Sequence, residues 1–387
     1  MPLGTTNRFL REMQMTRQYL SYSMLLMTAV VLTACGAKPD AKASALSDSA
    51  RTKASSVESA GDVGDTTKGS AQQSTGPTKP SAGDTARARL IAGRSVHDNT
   101  AFQAAIRAGT RAMKNWPSGP TAAAGALLPG SRIVAYYGNP HSKKMGVLGE
   151  YPEQQMLSML DKTVQQWHVA DPATPVIPAI HLVTVVAQGA AGPDGMWRRR
   201  ESPQMIEQAY GWAKSRKGLL FVDIQAGHST LQAELPLLLK YLERPDVHLG
   251  VDPEFYMHYK REGIRPSARV GQMMASDVNY VIQTLDRLVA EKKLPPKILV
   301  VHRFRADMVP DAENIRPTPR VQVVMDMDGW GQPWLKFDSY RDYIVTHPVQ
   351  FTGFKLFYHN DTKKGDALLT PGEVLRLLPR PLYIQYQ

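Results

Sequence analysis

The feature that most constrains the fold is a regular alternation of short apolar runs with helical patterns, which fills residues 95–387. Most of the apolar runs are rich in β-branched residues and bounded by Gly, Pro or Asp, as strands are. The eight predicted strands are Arg132–Tyr137, Val176–Ala187, Leu219–Gln225, Val247–Phe255, Ile298–Phe304, Val321–Met327, Phe354–Tyr358 and Leu382–Tyr386. Helical patterns precede the first strand near Phe102–Ala108 and then occur at Glu153–Trp167, Ser202–Lys214, Leu231–Leu242, Met274–Glu291 and Pro371–Leu378.

Eight strands that alternate with helices predict an α/β fold, a (β/α)8 TIM barrel. A doubly wound open sheet is the alternative fold. No glycine-rich nucleotide fingerprint supports it, and we therefore expect the barrel.

The N-terminal region carries the signals of an exported protein. Arg11 and Arg17 precede the apolar stretch Met24–Leu32, which is too short to span a bilayer and has the length of a signal-peptide core. The sequence Leu32-Thr33-Ala34-Cys35 follows at once, and it resembles the lipobox of bacterial lipoproteins. That resemblance implies a signal peptide over residues 1–35, acylation of Cys35 and a lipid anchor on the extracytoplasmic side. Gly36 stands where an aspartate would favour inner-membrane retention, so the resemblance implies the outer membrane or the cell surface.

Residues 36–94 differ in composition from the rest of the chain. They are mainly Ala, Ser, Thr, Gly, Asp and Lys, and no aromatic residue occurs between Ser23 and Ala101. Such a segment cannot bury enough apolar area to offset its conformational entropy, so we expect a disordered tether. The net charge of +11 favours anionic partners such as lipid headgroups or acidic wall polymers, while nucleic acid is not expected for an exported chain.

Cysteine usage excludes several kinds of chemistry. Cys35 is the only cysteine in the chain. The sequence therefore allows no intrachain disulfide, no cysteine-based zinc site and no cysteine nucleophile in the predicted barrel. The Gly-x-Ser-x-Gly signature of serine hydrolases is also missing.

The predicted strand Val247–Phe255 ends in two carboxylates two residues apart. Because side chains alternate across a strand, His248, Gly250, Asp252 and Glu254 are predicted to share one face. A buried strand that ends with two anions on one side indicates that this end opens into a solvated, functional pocket. We therefore take it as the candidate active site.

Other polar side chains fall at or near the carboxyl ends of the predicted strands, where barrel enzymes place their chemistry. They are Tyr136, Tyr137, Asp223, Gln225, Tyr256, His302, Asp326, Asp328, Trp330, Lys355 and Gln385. Acids, tyrosines and a tryptophan that converge on one mouth predict a site for a neutral polyol.

A pair of acids suits the hydrolysis of a glycosidic bond. The reaction needs a proton donor for the leaving oxygen and a second group that stabilises or attacks the sugar carbon. Crowding two acids raises the pKa of one of them, which supplies an acid near neutral pH. We expect Glu254 to be the general acid and Asp252 to orient it or to hold a substrate amide or water. Tyr136, Tyr256 and Trp330 would stack on sugar rings.

The same residues resemble barrel glycoside hydrolases of the chitinase-like and muramidase-like kinds. Asp252-Pro253-Glu254 matches their fourth-strand Asp-x-Glu motif, in which Glu is the proton donor. Val324–Gly329 is loosely similar to their sixth-strand Met-x-Tyr-Asp motif, with Asp326 or Asp328 as the equivalent acid. The sixth-strand tyrosine is missing here, and His248 and Gly250 replace the earlier spaced aspartates of chitinases. The resemblance implies a hydrolase of a polysaccharide or cell-wall glycan.

Structural roles compete with this interpretation. Asp252 and Glu254 could form salt bridges with barrel residues such as Arg303 or Lys355. A barrel that binds carbohydrate without cleaving it is the second class of function.

A metal-dependent phosphoester hydrolase is the third class of function. His228, Asp252, Glu254 and His302 could together hold an ion. No metal-binding spacing such as His-Glu-x-x-His is present, so we expect no metal and no cofactor. We expect a monomer.

Overall fold

The computed structural model describes residues 94–260 and 264–387. The predicted signal peptide over 1–35, its lipidation site Cys35 and the predicted tether, apart from its last residue, lie outside these residues. In the two described ranges, no helix is both long enough and apolar enough to cross a bilayer.

Eight parallel strands close into a barrel, as the sequence pattern predicts. In chain order the strands are β1 (Arg132–Gly138), β2 (Val176–Ala187), β3 (Arg198–Arg200), β4 (Leu219–Ile224), β5 (Val247–Val251), β6 (Lys297–Arg303), β7 (Val321–Met327), β8 (Phe351–Leu356) and β9 (Tyr383–Tyr386). Each barrel strand pairs with the next in parallel, and β9 pairs with β1 to close the ring. The short strand β3 stands outside the ring and pairs antiparallel with the end of β2.

The helices surround the barrel. They are α1 (Val96–Ala112), α2 (Val147–Glu150), α3 (Glu153–Ala170), α4 (Pro203–Ser215), α5 (Leu231–Leu242), α6 (Ala275–Lys292), α7 (Pro333–Ser339) and α8 (Pro371–Val374). Side-chain caps fix several starts: Thr230 accepts a hydrogen bond from Ala233 N at α5, and Ser202 accepts one from Met205 N at α4. The sequence pattern did not predict α7, which continues as a π-helical turn over Tyr340–Val345.

One predicted strand is wrong at its end. The strand predicted over Val247–Phe255 stops at Val251, and Pro253–Phe255 forms a 3-10 turn. Proline cannot donate a ladder hydrogen bond, and the Asp252 side chain accepts a hydrogen bond from Glu254 N at 3.0 Å. Together they turn the chain out of the barrel wall. Strand alternation therefore does not decide where Glu254 points.

The barrel interior changes character from one end to the other. Its amino half is mainly apolar, with Phe221, Val300 and Val324 among the buried residues of one hydrophobic cluster, although His248 and Gln322 are also buried there. Toward the carboxyl ends of the strands the buried residues become ionisable, as at Asp223 and His302. The outward strand residues belong to a second, larger cluster that includes the surrounding helices. The layering places the polar interior directly under the mouth of the barrel.

Candidate active site

A cleft opens at the carboxyl ends of the strands, where barrel enzymes carry their active sites. Its cavity volume is about 140 Å³. This is room for roughly five water molecules at their volume in the liquid, or for a ligand group of that size. Seven of the predicted site residues line it: Tyr137, Gln225, Asp252, Glu254, Asp328, Trp330 and Lys355. Residues without charge complete much of the wall, among them Asn139, Gln188, Phe255, Phe304, Phe357 and Asn360.

The Asp252-Pro253-Glu254 turn brings two carboxyl groups to this cleft. The backbone N–H of Asp252 donates to Ile224 O at 3.1 Å, which ties the start of the turn to β4. Asp252 is 2% exposed, whereas Glu254 is partly exposed at the cleft surface. The turn thus presents one buried acid and one accessible acid, two residues apart in the chain.

Asp252 has neutral hydrogen-bond partners. Its Oδ2 accepts from Gln225 Nε2 at 3.2 Å, and the same amide nitrogen donates to Tyr137 Oη at 3.2 Å. Within the part of the chain that the structure describes, no lysine or arginine forms an ion pair with Asp252. Burial raises the pKa of Asp252 to about 7. The charge of His302 opposes this shift, as does that of Lys355, while the charges of Asp328 and Asp223 add to it. Asp252 can therefore carry a proton near neutral pH.

Lys355 and Asp328 form an ion pair in the opposite wall of the cleft. Lys355 Nζ lies 2.9 Å from Asp328 Oδ1 and 3.8 Å from the centroid of the Tyr137 ring. Burial alone would raise the pKa of Asp328, but the charges of Lys355 and His302 outweigh it and lower that pKa. Lys355 thus neutralises Asp328 and lies over the aromatic face of Tyr137. The alternative in which Lys355 forms a salt bridge with Asp252 or Glu254 does not agree with this pairing.

A second polar cluster lies below the cleft, inside the barrel. Asp223 Oδ2 lies 2.9 Å from both His181 Nε2 and His302 Nε2, and all three side chains are fully buried. Burial would raise the pKa of Asp223, but the charge of His302 and hydrogen bonds from both imidazoles hold it well below its ordinary value. Burial lowers the pKa of His181 to about 4. His302 is also buried, yet its acidic neighbours, with Asp223 foremost, raise its pKa well above the ordinary value.

Further polar residues complete the buried cluster on both sides. His302 Nδ1 lies 3.1 Å from Asp328 Oδ2 and 3.5 Å from Asp326 Oδ2, which links it to the cleft wall. His181 Nδ1 lies 2.5 Å from Tyr383 Oη and 3.2 Å from Gln385 Nε2. Burial raises the pKa of Asp326. The predicted residues Asp223, His302, Asp326 and Gln385 thus lie beneath the cleft rather than in its lining.

Two inward-facing glycines make room for these side chains. A Cβ at Gly250 would lie 2.7 Å from His181 Nε2 and 3.0 Å from Asp223 Cγ. A Cβ at Gly353 would lie 2.4 Å from Asp326 Oδ1. Since real Cβ contacts are never so short, any larger residue would displace the cluster.

Three residues predicted at the site lie elsewhere. Tyr136 faces the surrounding helices, and its hydroxyl bonds to Thr163 Oγ1 at 2.8 Å. Tyr256 is 1% exposed, and its hydroxyl donates to Asp277. Neither tyrosine lines the cleft, so the prediction that they stack on sugar rings does not fit their positions. His228 Nε2 lies 2.7 Å from a backbone carbonyl, that of Ile264, and does not join His302.

Sequence reasoning missed His181 and Tyr383. His181 is the single ionisable residue of the apolar strand β2, and it follows Ala179 on the inward face. A lone polar residue at an inward position of an otherwise apolar strand is the signal that could have identified it. Tyr383 lies at the start of β9, whereas the predicted site residues were sought at the carboxyl ends of the strands.

The described chain is therefore a (β/α)8 barrel with an acidic cleft at the carboxyl ends of its strands and a buried histidine-carboxylate cluster beneath it. Many unrelated enzymes and binding proteins share this architecture, so the fold alone does not identify a reaction. No protein family model matches the chain, and no curated protein matches its sequence. The inference of function consequently depends on the residues of the site.

Proposed function

We propose that the protein is a glycoside hydrolase that acts on a polysaccharide or cell-wall glycan, with Glu254 as the general acid. The observation that carries this proposal is the Asp252-Pro253-Glu254 turn, which delivers two carboxyl groups to one cleft. One of them is accessible to a substrate, and the other is buried with a pKa raised to about 7. Two carboxyl groups in different environments are the usual requirement for cleaving a glycosidic bond.

Each acid has a distinct role in this mechanism. Glu254 protonates the leaving oxygen, because it is the more exposed of the two and lies at the cleft surface. Asp252 is held from both sides, by Gln225 Nε2 and by the Glu254 N–H. It orients the turn and holds the substrate amide or the water whose oxygen forms the new bond to the sugar carbon as the protonated leaving oxygen departs; where the amide attacks, water then releases the product. Trp330 and Phe255 supply apolar surface for a sugar ring.

The predicted N-terminal signals place this activity outside the cytoplasm. An acylated Cys35 would anchor the chain to the outer membrane or cell surface, and the segment that follows would let the barrel reach wall or exopolysaccharide. The chain would work as a monomer. Neither nucleic acid nor a cofactor takes part in the proposed reaction.

The test is a product screen of the full chain against a panel of wall and exopolysaccharides, read by reducing-end release and mass spectrometry. Glu254→Gln should lower turnover by about 10²- to 10⁴-fold, the usual contribution of a general acid, while far-UV circular dichroism and glycan binding are preserved. Glu291→Gln is the matched control, because Glu291 is exposed near the end of α6 and is not part of the cleft lining.

Two results would decide against the proposal. Turnover by Glu254→Gln equal to that of the unmodified chain would remove Glu254 from the mechanism. Tight binding of a glycan from the panel, with no product released from any of them, would instead assign the barrel to carbohydrate binding without catalysis.

A further inference from the structure

We propose that His181, Asp223 and His302 form a binding site for one divalent transition-metal ion, with zinc as the best fit, inside the barrel beneath the cleft. The ion would bind His181 Nε2, Asp223 Oδ2 and His302 Nε2. These three atoms all lie within 4.8 Å of one another. They come from β2, β4 and β6, so the ion would join three strands of the barrel wall.

The ligand geometry is compatible with such an ion. Two ligands held about 2.1 Å from a metal, at angles between a right angle and a tetrahedral angle, stand about 3.0 to 3.4 Å apart. Asp223 Oδ2 lies 2.9 Å from each of the two imidazole nitrogens. Two imidazoles and one carboxylate form a donor set that suits zinc and its transition-metal neighbours better than magnesium or calcium.

Each imidazole has a polar group near its far side. With Nε2 on an ion, Nδ1 carries the proton and must donate it to a second group. His181 Nδ1 can donate to Tyr383 Oη at 2.5 Å. His302 Nδ1 lies 3.1 Å from Asp328 Oδ2 but forms no hydrogen bond with it in this structure, so the carboxylate would have to turn toward the imidazole when an ion binds. A carboxylate behind a ligating imidazole is a frequent outer partner in zinc sites.

The charge of the region and its unbonded oxygens also favour a cation. Asp223 belongs to the cluster, Asp326 and Asp328 lie within 3.5 Å of His302, and Asp252 lies close enough for its pKa to respond to the cluster, whereas Lys355 pairs, among the described residues, with Asp328 alone. Asp223 Oδ1 and Asp326 Oδ1 are buried, and neither accepts a hydrogen bond from the residues that the structure describes. Buried carboxylate oxygens without donors are costly, and a bound cation offsets that cost.

The space for this arrangement is built into the strands. Gly250 lies directly against His181 and Asp223, where a Cβ would come within 3.0 Å of both side chains. The glycine keeps the two ligands within 2.9 Å of each other at a position where β5 would otherwise contribute a side chain.

The test uses the full chain and does not depend on hydrolysis of any glycan. Elemental analysis of the purified chain after loading with zinc and removal of excess ion should give about one equivalent. X-ray absorption at the zinc edge should show two imidazole ligands and at least one oxygen ligand. Zinc at about 100 times its Kd should raise Tm by roughly 5 to 10 °C. His302→Gln should reduce the bound zinc to less than about one tenth of an equivalent.

His141→Gln is the matched control, because His141 is a half-exposed histidine at the cleft rim that does not belong to the cluster. It should keep the full equivalent. No tight ion and an unchanged Tm with zinc, cobalt, nickel and manganese would overturn the proposal. So would an absorption spectrum without two imidazoles, a measurement that needs no variant and remains decisive if His302→Gln does not fold.

Discussion

Replacing Asp252 with Asn should change how the stability of the protein depends on pH. The pKa of the buried carboxyl is raised to about 7, whereas an unfolded aspartate has a pKa of about 3.9. Between these two values the folded state holds a proton that the unfolded state has released. The free energy of unfolding therefore falls as pH rises through this window, since the unfolded state binds fewer protons.

The expected size of this effect follows from the shift. Three pKa units at 1.36 kcal/mol each correspond to a fall of about 4 kcal/mol in the free energy of unfolding between pH 4 and pH 8, and this fall comes from the Asp252 side chain. Asn keeps the shape of Asp252 and can still accept the Glu254 N–H, but it does not titrate. Asp252→Asn should therefore lack this part of the decline.

Chemical denaturation of both chains at pH 4.5, 6.0 and 7.5, followed by tryptophan fluorescence, measures the difference. Titrating groups far from Asp252 contribute equally to both chains and cancel when the two pH profiles are subtracted, whereas the coupled groups His302, Asp328 and Asp223 remain part of the measured difference. Parallel pH profiles for the two proteins would show that Asp252 has an ordinary pKa, so that it would not carry a proton near neutral pH.

Four more substitutions, one of them also combined with a second change, test individual contacts. Lys355→Met should cost about 3 to 5 kcal/mol of stability, because it leaves Asp328 buried without its lysine; denaturation should also show that adding Asp328→Asn recovers part of the loss. Gly353→Ala should cost about 1 to 3 kcal/mol, because its Cβ would meet Asp326 Oδ1, and an unchanged Tm would contradict that packing. Tyr136→Phe should lower the free energy of unfolding by about 1 kcal/mol, because it removes a buried hydroxyl hydrogen bond, and should leave KM for a glycan unchanged. Trp330→Ala should raise KM, because Trp330 lines the cleft.

Much of the fold could be predicted from local signals. The predicted and observed bounds of the helix Leu231–Leu242 agree. In the structure Thr230 caps the start of this helix, and an apolar pattern with helical spacing follows it. The strand Val321–Met327 was also predicted with its observed bounds. In both cases the residues within and next to the element determine its bounds, and tertiary contacts do not change them.

The candidate site was harder to predict, for reasons that are visible in single residues. Tyr136 and Tyr137 are identical neighbours on β1, and alternation alone does not say which one faces the interior. Only Tyr137 does. The turn at Asp252 depends on a side chain that caps its own backbone, and it competes with continuation of the strand. The strand Arg198–Arg200 depends on contacts that are distant in sequence, since it pairs with the end of β2 and both Arg198 and Arg200 form ion pairs with the buried Glu234.

The proton on Asp252 depends on the barrel interior rather than on the Asp-x-Glu motif. Gln225 and the Glu254 N–H contact Asp252 directly, but neither is charged, so they do not account for a pKa near 7. Burial accounts for most of the shift, and the charges of Asp223 and Asp328 add to it from deeper in the barrel. The same two residues touch His302. A cation bound by His302 and Asp223 would offset those charges and lower the pKa of Asp252, so the buried cluster and the acid of the cleft form one electrostatic unit.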